Sequence, residues 1–211
     1  MPGPTGVSTP SRHPRPTGAQ RRPPRACPGG AAGAATRKAL TPLGALARGV
    51  AAGALGTAAL DLVMYSHYRR DGGTQAPLEW EFSAGVEDWE GAAAPAQVGR
   101  RVVEGLFQVE LAPRWARLTN NVMHWAYGLL WGAQYGLVAG SARRLPHLSG
   151  LVLGPVVFAS GYVVLPLTKL YKPIWEYDGA TLSKDLSGHM AYGVVTAEAF
   201  RLLARRRLSR R

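Results

Sequence analysis

The sequence predicts an all-α membrane protein, in which four transmembrane helices form two tandem, degenerate helical hairpins behind a disordered N-terminal arm. Three observations support this fold class. Four apolar segments have about the 20 residues that a helix needs to cross a bilayer. Glycines recur within them at a spacing of four residues. Basic residues concentrate at the chain ends and in one short loop, beside the apolar segments, which is typical of cytoplasmic flanks.

The N-terminal arm, residues 1–40, is rich in Pro, Gly, Ala and Arg. Residues 1–48 contain eight Lys or Arg and no Asp or Glu. Such a segment lacks the apolar side chains that would offset the entropy lost on ordering, so we expect it to be disordered. The net charge of +12 would suit binding to nucleic acid. The basic residues lie beside apolar segments, however, and this position favours contact with a membrane surface. Cys27 is the only cysteine and cannot form an internal disulfide.

The transmembrane domain is predicted over residues 41–207. Its first span, about 43–66, consists mainly of Gly and Ala and includes Gly49, Gly53 and Asp61. Because a carboxylate is unfavourable against lipid, this helix should lie inside a bundle. The second span, about 119–139, contains no charged residue. Its glycines form a single ridge on a helix, which predicts close approach by another helix at Gly128, Gly132, Gly136 and Gly140.

An outer connection of residues 67–118 separates these two spans. Its part from 71 to 90 has six carboxylates and no Lys or Arg, and we expect an irregular loop there. An amphipathic pattern over about 96–109 predicts a helix that lies at the lipid headgroups or caps the bundle.

The third span is predicted at about 148–168 and the fourth at about 186–204. The third repeats the glycine spacing at Gly150 and Gly154, and Pro155 and Pro166 are expected to kink or end it. With basic residues in the arm, in the loop of residues 141–147 and at the C-terminus, we expect both termini in the cytoplasm. Tyr and Trp residues at the other ends of the spans fit an outer aromatic belt.

A degenerate repeat connects the second and fourth spans. The segment that begins at His124, HWAYG, matches HMAYG, which begins at His189, at a separation of 65 residues. Because Gly193 matches Gly128, we also expect Gly193 to lie where another helix approaches closely. The first and third spans align more weakly, with Gly49 on Gly150 and Gly53 on Gly154. Both hairpins would begin on the same side of the membrane, so an axis along the membrane normal would relate them.

The repeat predicts a polar layer near the outer face of the bundle. Spans two and four would run parallel, which places their histidines at similar depth. Side chains from all four helices could then meet there: Asp61, His124, Tyr127, Tyr162, His189 and Tyr192, with Glu198 deeper in the bundle.

From His124 to the C-terminus the sequence resembles the YagU-like family of small bacterial inner-membrane proteins. The motifs that carry the resemblance are YGLVA at 135–139, the glycines at 150 and 154, Leu165-Pro166, and Gly188-His189 followed by Glu198. The resemblance implies a multi-pass plasma-membrane protein with four helices. The family has no established reaction, so no activity follows from it.

Three interpretations of the polar residues remain open. In the first, they fix the helices through interhelical hydrogen bonds, as in a structural or interaction protein. In the second, they form a proton- or ion-linked transport path or a pH-responsive site. In the third, His124 and His189 hold haem or a metal between parallel helices.

No cofactor and no catalytic residue are predicted. The sequence has no GxSxG, HExxH or phosphate-binding glycine loop, and we do not expect an enzyme. Apart from the lipid bilayer, the partner that this composition suits is a second copy of the chain or another membrane protein.

Overall fold

The computed structural model describes residues 40–83, 85–142, 148–167 and 169–205. This part of the chain is helical and contains no strand. Its α-helices are α1 (Pro42–Arg70), α2 (Pro77–Glu81), α3 (Ala94–Phe107), α4 (Ala116–Ser141), α5 (Ser149–Leu167) and α6 (Gly179–Arg205). Two single 3-10 turns cover Pro113–Trp115 and Ile174–Glu176. The predictions for the N-terminal arm and for Arg143 and Arg144 lie outside the described residues.

The four long helices coincide with the four predicted spans, and α3 coincides with the predicted amphipathic helix. α6 begins seven residues before the predicted start at 186. The expectation of an irregular loop over 71–90 is wrong at α2, where Pro77 occupies the first turn and the Glu79 carboxylate accepts from the Ala76 amide. α5 continues through Pro155.

Local capping fixes where two of the long helices begin. The Thr41 hydroxyl accepts a hydrogen bond from the Gly44 amide at 3.1 Å, and Pro42 follows it at the first helical position. At α6, Asp178 accepts from the Thr181 amide at 2.9 Å. The Thr181 hydroxyl also donates to Asp178, at 2.7 Å. Both hydrogen bonds lower the pKa of Asp178, because they favour its ionised form.

The long helices form an up-down-up-down bundle. α1 packs against both α4 and α6, and α5 packs against α6. Each of these contacts is antiparallel, because residue numbers rise along one helix as they fall along its neighbour. We call α1 with α4 the first hairpin and α5 with α6 the second hairpin. α4 and α5 meet through longer side chains: the Tyr127 and Tyr135 hydroxyls bond to Ser160 and Ser149 at 2.6 and 2.8 Å.

Backbone contacts at glycine hold the first hairpin together, as the sequence predicts. A Cβ built on Gly53 would lie 2.6 Å from the Gly128 carbonyl oxygen, and one built on Gly132 would lie 2.5 Å from the Gly53 Cα. Gly49, Gly136 and Gly140 extend the contact toward the other end of the bundle. Only glycine permits this approach, because any side chain would overlap the facing backbone.

The second hairpin uses the same kind of contact. A Cβ on Gly150 would lie 2.7 Å from the Gly193 carbonyl oxygen, which matches the relation of Gly53 to Gly128. Gly150 therefore corresponds to Gly53, not to Gly49 as the sequence alignment has it. The correct correspondence is shifted by four residues, about one helical turn. The sequence missed this shift because glycines spaced by four align equally well in either register.

The interior of the bundle combines small residues with a few large aromatics. Tyr192 and Phe200 on α6 are 2% exposed, and Tyr135 packs edge-on against Phe200 with ring centroids 5.8 Å apart. By contrast, large aliphatic side chains of all four long helices point outward, among them Leu43, Leu55, Leu62, Val122, Leu130, Val138, Val152, Val163, Leu167 and Leu202.

Two helices in the described part of the chain, α1 and α5, are long and apolar enough to cross a membrane. α4 and α6 have 26 and 27 residues. They include more polar residues than α5 does, and neither of them reaches the mean hydropathy of α1 or α5.

Candidate functional site

The clearest polar contact between helices joins Asp61 of α1 to His124 of α4. The His124 Nε2 atom lies 2.8 Å from Asp61 Oδ1, and Asp61 is 7% exposed. The glycine contact explains this pairing. Thr57 packs against Gly128, and one turn farther along each antiparallel helix brings Asp61 to His124. The predicted meeting of these two residues is confirmed.

A second carboxylate, Glu81 at the end of α2, completes this group. Its Oε1 atom accepts a hydrogen bond from the Trp125 indole N–H at 3.0 Å, and its carboxyl also lies within hydrogen-bonding reach of Asp61. Burial, and then the negative charge of Asp61, raise the pKa of Glu81 above its ordinary value. We call Asp61, Glu81 and His124 the acid–imidazole cluster.

Sequence reasoning missed Glu81 because it lies twenty residues beyond Asp61 in a segment predicted to be irregular. One signal was available. Pro77 followed by Glu79 is a helix-start pattern, and it could have placed Glu81 on a short helix beside the bundle.

The end of α2 is attached to α4 by several further hydrogen bonds. The Arg117 guanidinium donates to the Phe82 carbonyl at 2.7 Å, and the Asn121 amide donates to the same oxygen at 3.1 Å. Asn120 donates to the Ser83 hydroxyl at 2.8 Å. Residues 77–83 therefore form a segment docked on the N-terminal end of α4, and we call it the docked segment.

In the second hairpin the histidine has a different set of contacts. His189 Nδ1 lies 3.1 Å from Asp185 Oδ1, one turn earlier on the same helix. The neighbouring helix contributes Phe158, whose ring meets the imidazole edge-on at 5.7 Å. In the corrected alignment Phe158 corresponds to Asp61. The second hairpin thus has an aromatic ring where the first has a carboxylate.

Tyr162 and Tyr171 lie near Asp185 at this end of the second hairpin, and Tyr177 packs against both of their rings. The Tyr162 ring lies 5.6 Å from Tyr171 and 5.4 Å from Tyr177. Burial, followed by the charge of Asp185, raises the pKa of Tyr171 to about 12. An equivalent aromatic group, Tyr65 with Tyr68 and Trp80, lies beside the acid–imidazole cluster.

The contacts of the described residues divide most of the predicted polar side chains between two groups. His124 and His189 belong to separate groups, the first with Asp61 and Glu81, the second with Asp185, Phe158 and Tyr162. The repeat predicts the depth of each histidine but not its direction around the helix axis.

The remaining predicted residues have hydrogen bonds and ion pairs of their own. Tyr192 donates to the Gly128 carbonyl at 2.6 Å and is buried, whereas Tyr127 is 42% exposed and bonds to Ser160. Glu198 forms an ion pair with Arg201 three residues later, as the spacing predicts.

The described residues include no group of three His, Cys, Asp or Glu side chains placed to hold a metal ion. The structure also shows no contact between His124 and His189, since a separate aspartate engages each imidazole. The hypothesis that these two histidines jointly bind haem or a metal therefore has no support in the geometry.

Comparison of the chain with protein-family models, with curated proteins and with solved structures finds no significant match. The resemblance to the YagU-like family stays a prediction that rests on the motifs quoted above.

Proposed function

We propose that the chain is a multi-pass membrane protein of structural or interaction type, in which α1, α4, α5 and α6 cross the bilayer as two hairpins. The acid–imidazole cluster ties the helices of the first hairpin together near the outer face. The proposal includes no catalysis and no cofactor. Its location would be the plasma membrane, as the YagU-like resemblance implies.

The observation that carries the proposal is the distribution of apolar side chains. Leu55, Leu62, Leu130 and Val152 are 54%, 69%, 58% and 64% exposed, while glycine, alanine and threonine fill the helix contacts. In water such a surface would promote aggregation. In a bilayer it faces lipid, and close packing of small residues is the usual basis of helix association there.

The arrangement of α4 and α6 explains how these less apolar helices could span the bilayer. Two of their polar side chains are directed at other helices: Tyr192 at the Gly128 carbonyl, and His124 at Asp61. Polar groups satisfied within a bundle are tolerated at membrane depth.

The outer connection has features that suit a membrane interface. α3 packs on α4 where Gly99 meets Thr119 and Met123, so it flanks the bundle. Near its C-terminal end, Leu106 and Phe107 form an exposed apolar face, and they are 72% and 69% accessible. We propose that this face rests among the outer lipid headgroups, while the basic termini remain in the cytoplasm.

Extraction of membranes tests the proposal. The full chain should stay in the membrane pellet after washes with alkaline carbonate and with urea, and it should be released by detergent. Release by either wash without detergent would contradict a bilayer-spanning bundle.

Thiol labelling tests the orientation. Cys27 is the only cysteine, so a membrane-impermeant maleimide should label it only after the cells are permeabilised. In a matched variant, Cys27→Ser with Glu87→Cys, the exposed outer position should be labelled in intact cells. The opposite pattern would reverse the proposed topology.

The second candidate function is a pH-responsive membrane protein or a small proton-linked transporter. The observation that favours it is the meeting of two carboxyl groups, Asp61 and Glu81, beside one imidazole. A structural tie between α1 and α4 needs only Asp61 and His124.

A further inference from the structure

We propose that Asp61 and Glu81 form a proton-binding site, in which one proton is shared between the two carboxyl groups and holds the docked segment on the bundle. The ligand is the proton itself. This inference deepens the pH-responsive candidate and names its site.

The first argument is an unsatisfied oxygen. Asp61 Oδ1 accepts from His124, but Asp61 Oδ2 is buried and has no hydrogen-bond partner in the described part of the chain. A buried carboxylate oxygen without a donor is energetically unfavourable. The Glu81 carboxyl lies close to Asp61, and it can donate a hydrogen bond only when it is protonated.

The second argument is the charge balance. Asp61 acts on two titratable groups of neighbouring helices, Glu81 from α2 and His124 from α4. The charged groups on α6 engage others: His189 pairs with Asp185, and Lys184 pairs with Asp71. At most one imidazolium therefore faces two carboxyls, and a proton on one carboxyl removes the excess negative charge.

The third argument is the position of Glu81. It ends α2, and its Oε1 atom accepts the Trp125 indole N–H. A protonated Glu81 would hold the docked segment through both oxygens, one accepting from Trp125 and one donating to Asp61. An ionised Glu81 keeps the first bond, but it replaces the second with repulsion between like charges.

The direction of the pH dependence follows from these contacts. Docking raises the pKa of Glu81 above its value of 4.5 in the free segment. The docked state therefore binds the proton more tightly. Docking is strongest at pH values below the free pKa of 4.5, and it weakens as the pH rises through the raised pKa that Glu81 has in the docked state.

The substitution Glu81→Gln tests the proposal. Glutamine keeps an acceptor for Trp125 and supplies an uncharged N–H donor for Asp61, so it imitates the protonated acid. In detergent, the Tm of the full wild-type chain should fall as the pH rises from about 4.5 to 8. E81Q should lose the part of this pH dependence that Glu81 causes. At the alkaline end its Tm should exceed that of the wild type by about 2–4 °C.

The matched control is Glu79→Gln, which removes the same charge from the same short helix but away from Asp61. Glu79 caps α2 through the Ala76 amide, and E79Q should retain the wild-type pH profile. Infrared spectroscopy gives a second readout: the wild type should show a protonated carboxyl band that titrates with the same midpoint, and E81Q should lack it.

Two results would overturn the proposal. One is an identical pH profile for wild type and E81Q together with no titrating carboxyl band. The other is stabilisation by Na⁺ at constant pH that E81Q abolishes, because that result assigns the space between the carboxyls to a cation. Membrane retention of E81Q is measured in parallel, so a failure here is distinct from a failure of the bilayer-spanning proposal.

Discussion

The two hairpins share one kind of helix contact and differ one turn beyond it. In both, glycine lets two antiparallel helices meet backbone to backbone, with Gly53 on Gly128 in the first and Gly150 on Gly193 in the second. One turn farther out, the first hairpin places a carboxylate against its histidine. The second places Phe158 there and satisfies the histidine from within its own helix.

This difference separates the contacts that pack the helices from the polar contacts that one hairpin adds. The glycine contacts bring the helices together without any charged group. The second hairpin shows that a histidine at this position needs no carboxylate from its partner helix. The carboxylate on α1 is therefore an addition specific to the first hairpin, and Glu81 from the docked segment meets it.

The largest expected effect is at the shared glycine contacts. Gly132→Ala places a Cβ 2.5 Å from Gly53 Cα and from the Gly49 carbonyl oxygen. Because both neighbours are backbone atoms, the helices must separate, and we expect a loss of about 3 kcal/mol or more of unfolding free energy. Gly193→Ala should be as severe, since its Cβ would overlap the Gly150 and Gly154 backbone.

The control for these variants is Gly161→Ala on α5, where an added Cβ meets nothing within 4 Å. It should be neutral or stabilise by about 0.5–1 kcal/mol, the usual gain from replacing a helical glycine. Unfolding followed by circular dichroism in detergent compares the three. A mild effect at Gly132 or at Gly193 would show that the corresponding hairpin does not depend on backbone contact.

An intermediate effect is expected where the hairpins differ. Asp61→Ala leaves His124 without its partner on the neighbouring helix, and we expect a loss of about 1.5–3 kcal/mol, as for a buried hydrogen bond to a charged group. Asp185→Ala removes the i,i+4 contact with His189 within α6 and the contact with Tyr162 of α5, neither of which leaves a buried partner charge, and it should cost less, about 0.5–1 kcal/mol. Equal losses measured by chemical unfolding would remove the distinction between the two ends.

A smaller contrast concerns two tyrosines at equivalent positions of the repeat. Tyr192→Phe removes a buried hydrogen bond to the Gly128 carbonyl, so we expect a loss of about 1 kcal/mol. Tyr127→Phe removes a hydrogen bond at a 42% exposed side chain and should change stability by less than about 0.5 kcal/mol. Thermal unfolding of the paired variants checks the order, and a larger effect at Tyr127 would reverse it.

Periodicity in the sequence predicted the parts of the fold that repeat along one helix. The glycine spacing identified the faces that pack, and the amphipathic pattern placed α3. The ion pair between Glu198 and Arg201 followed from a separation of three residues.

Features that depend on relations between helices could not be predicted in the same way. The four-residue glycine spacing left the register of the second hairpin undetermined by one turn, which hid the correspondence of Phe158 with Asp61. Equal depth of the two histidines did not fix the direction of either ring. Glu81 reaches the cluster through a tertiary contact of a five-residue helix, and no periodic pattern reports such a contact.

A pair of double-mutant cycles tests the central claim most directly. Alanine is placed at Asp61 and His124, singly and together, and likewise at Asp185 and His189, and unfolding free energies are measured for the full chain in detergent. The first cycle should give a coupling energy of about 1–3 kcal/mol, as for directly bonded residues on different elements. The second should give about 0.5 kcal/mol or less. Equal coupling energies, or a larger one in the second hairpin, would contradict the claim that a carboxylate–histidine tie joins the helices of the first hairpin alone.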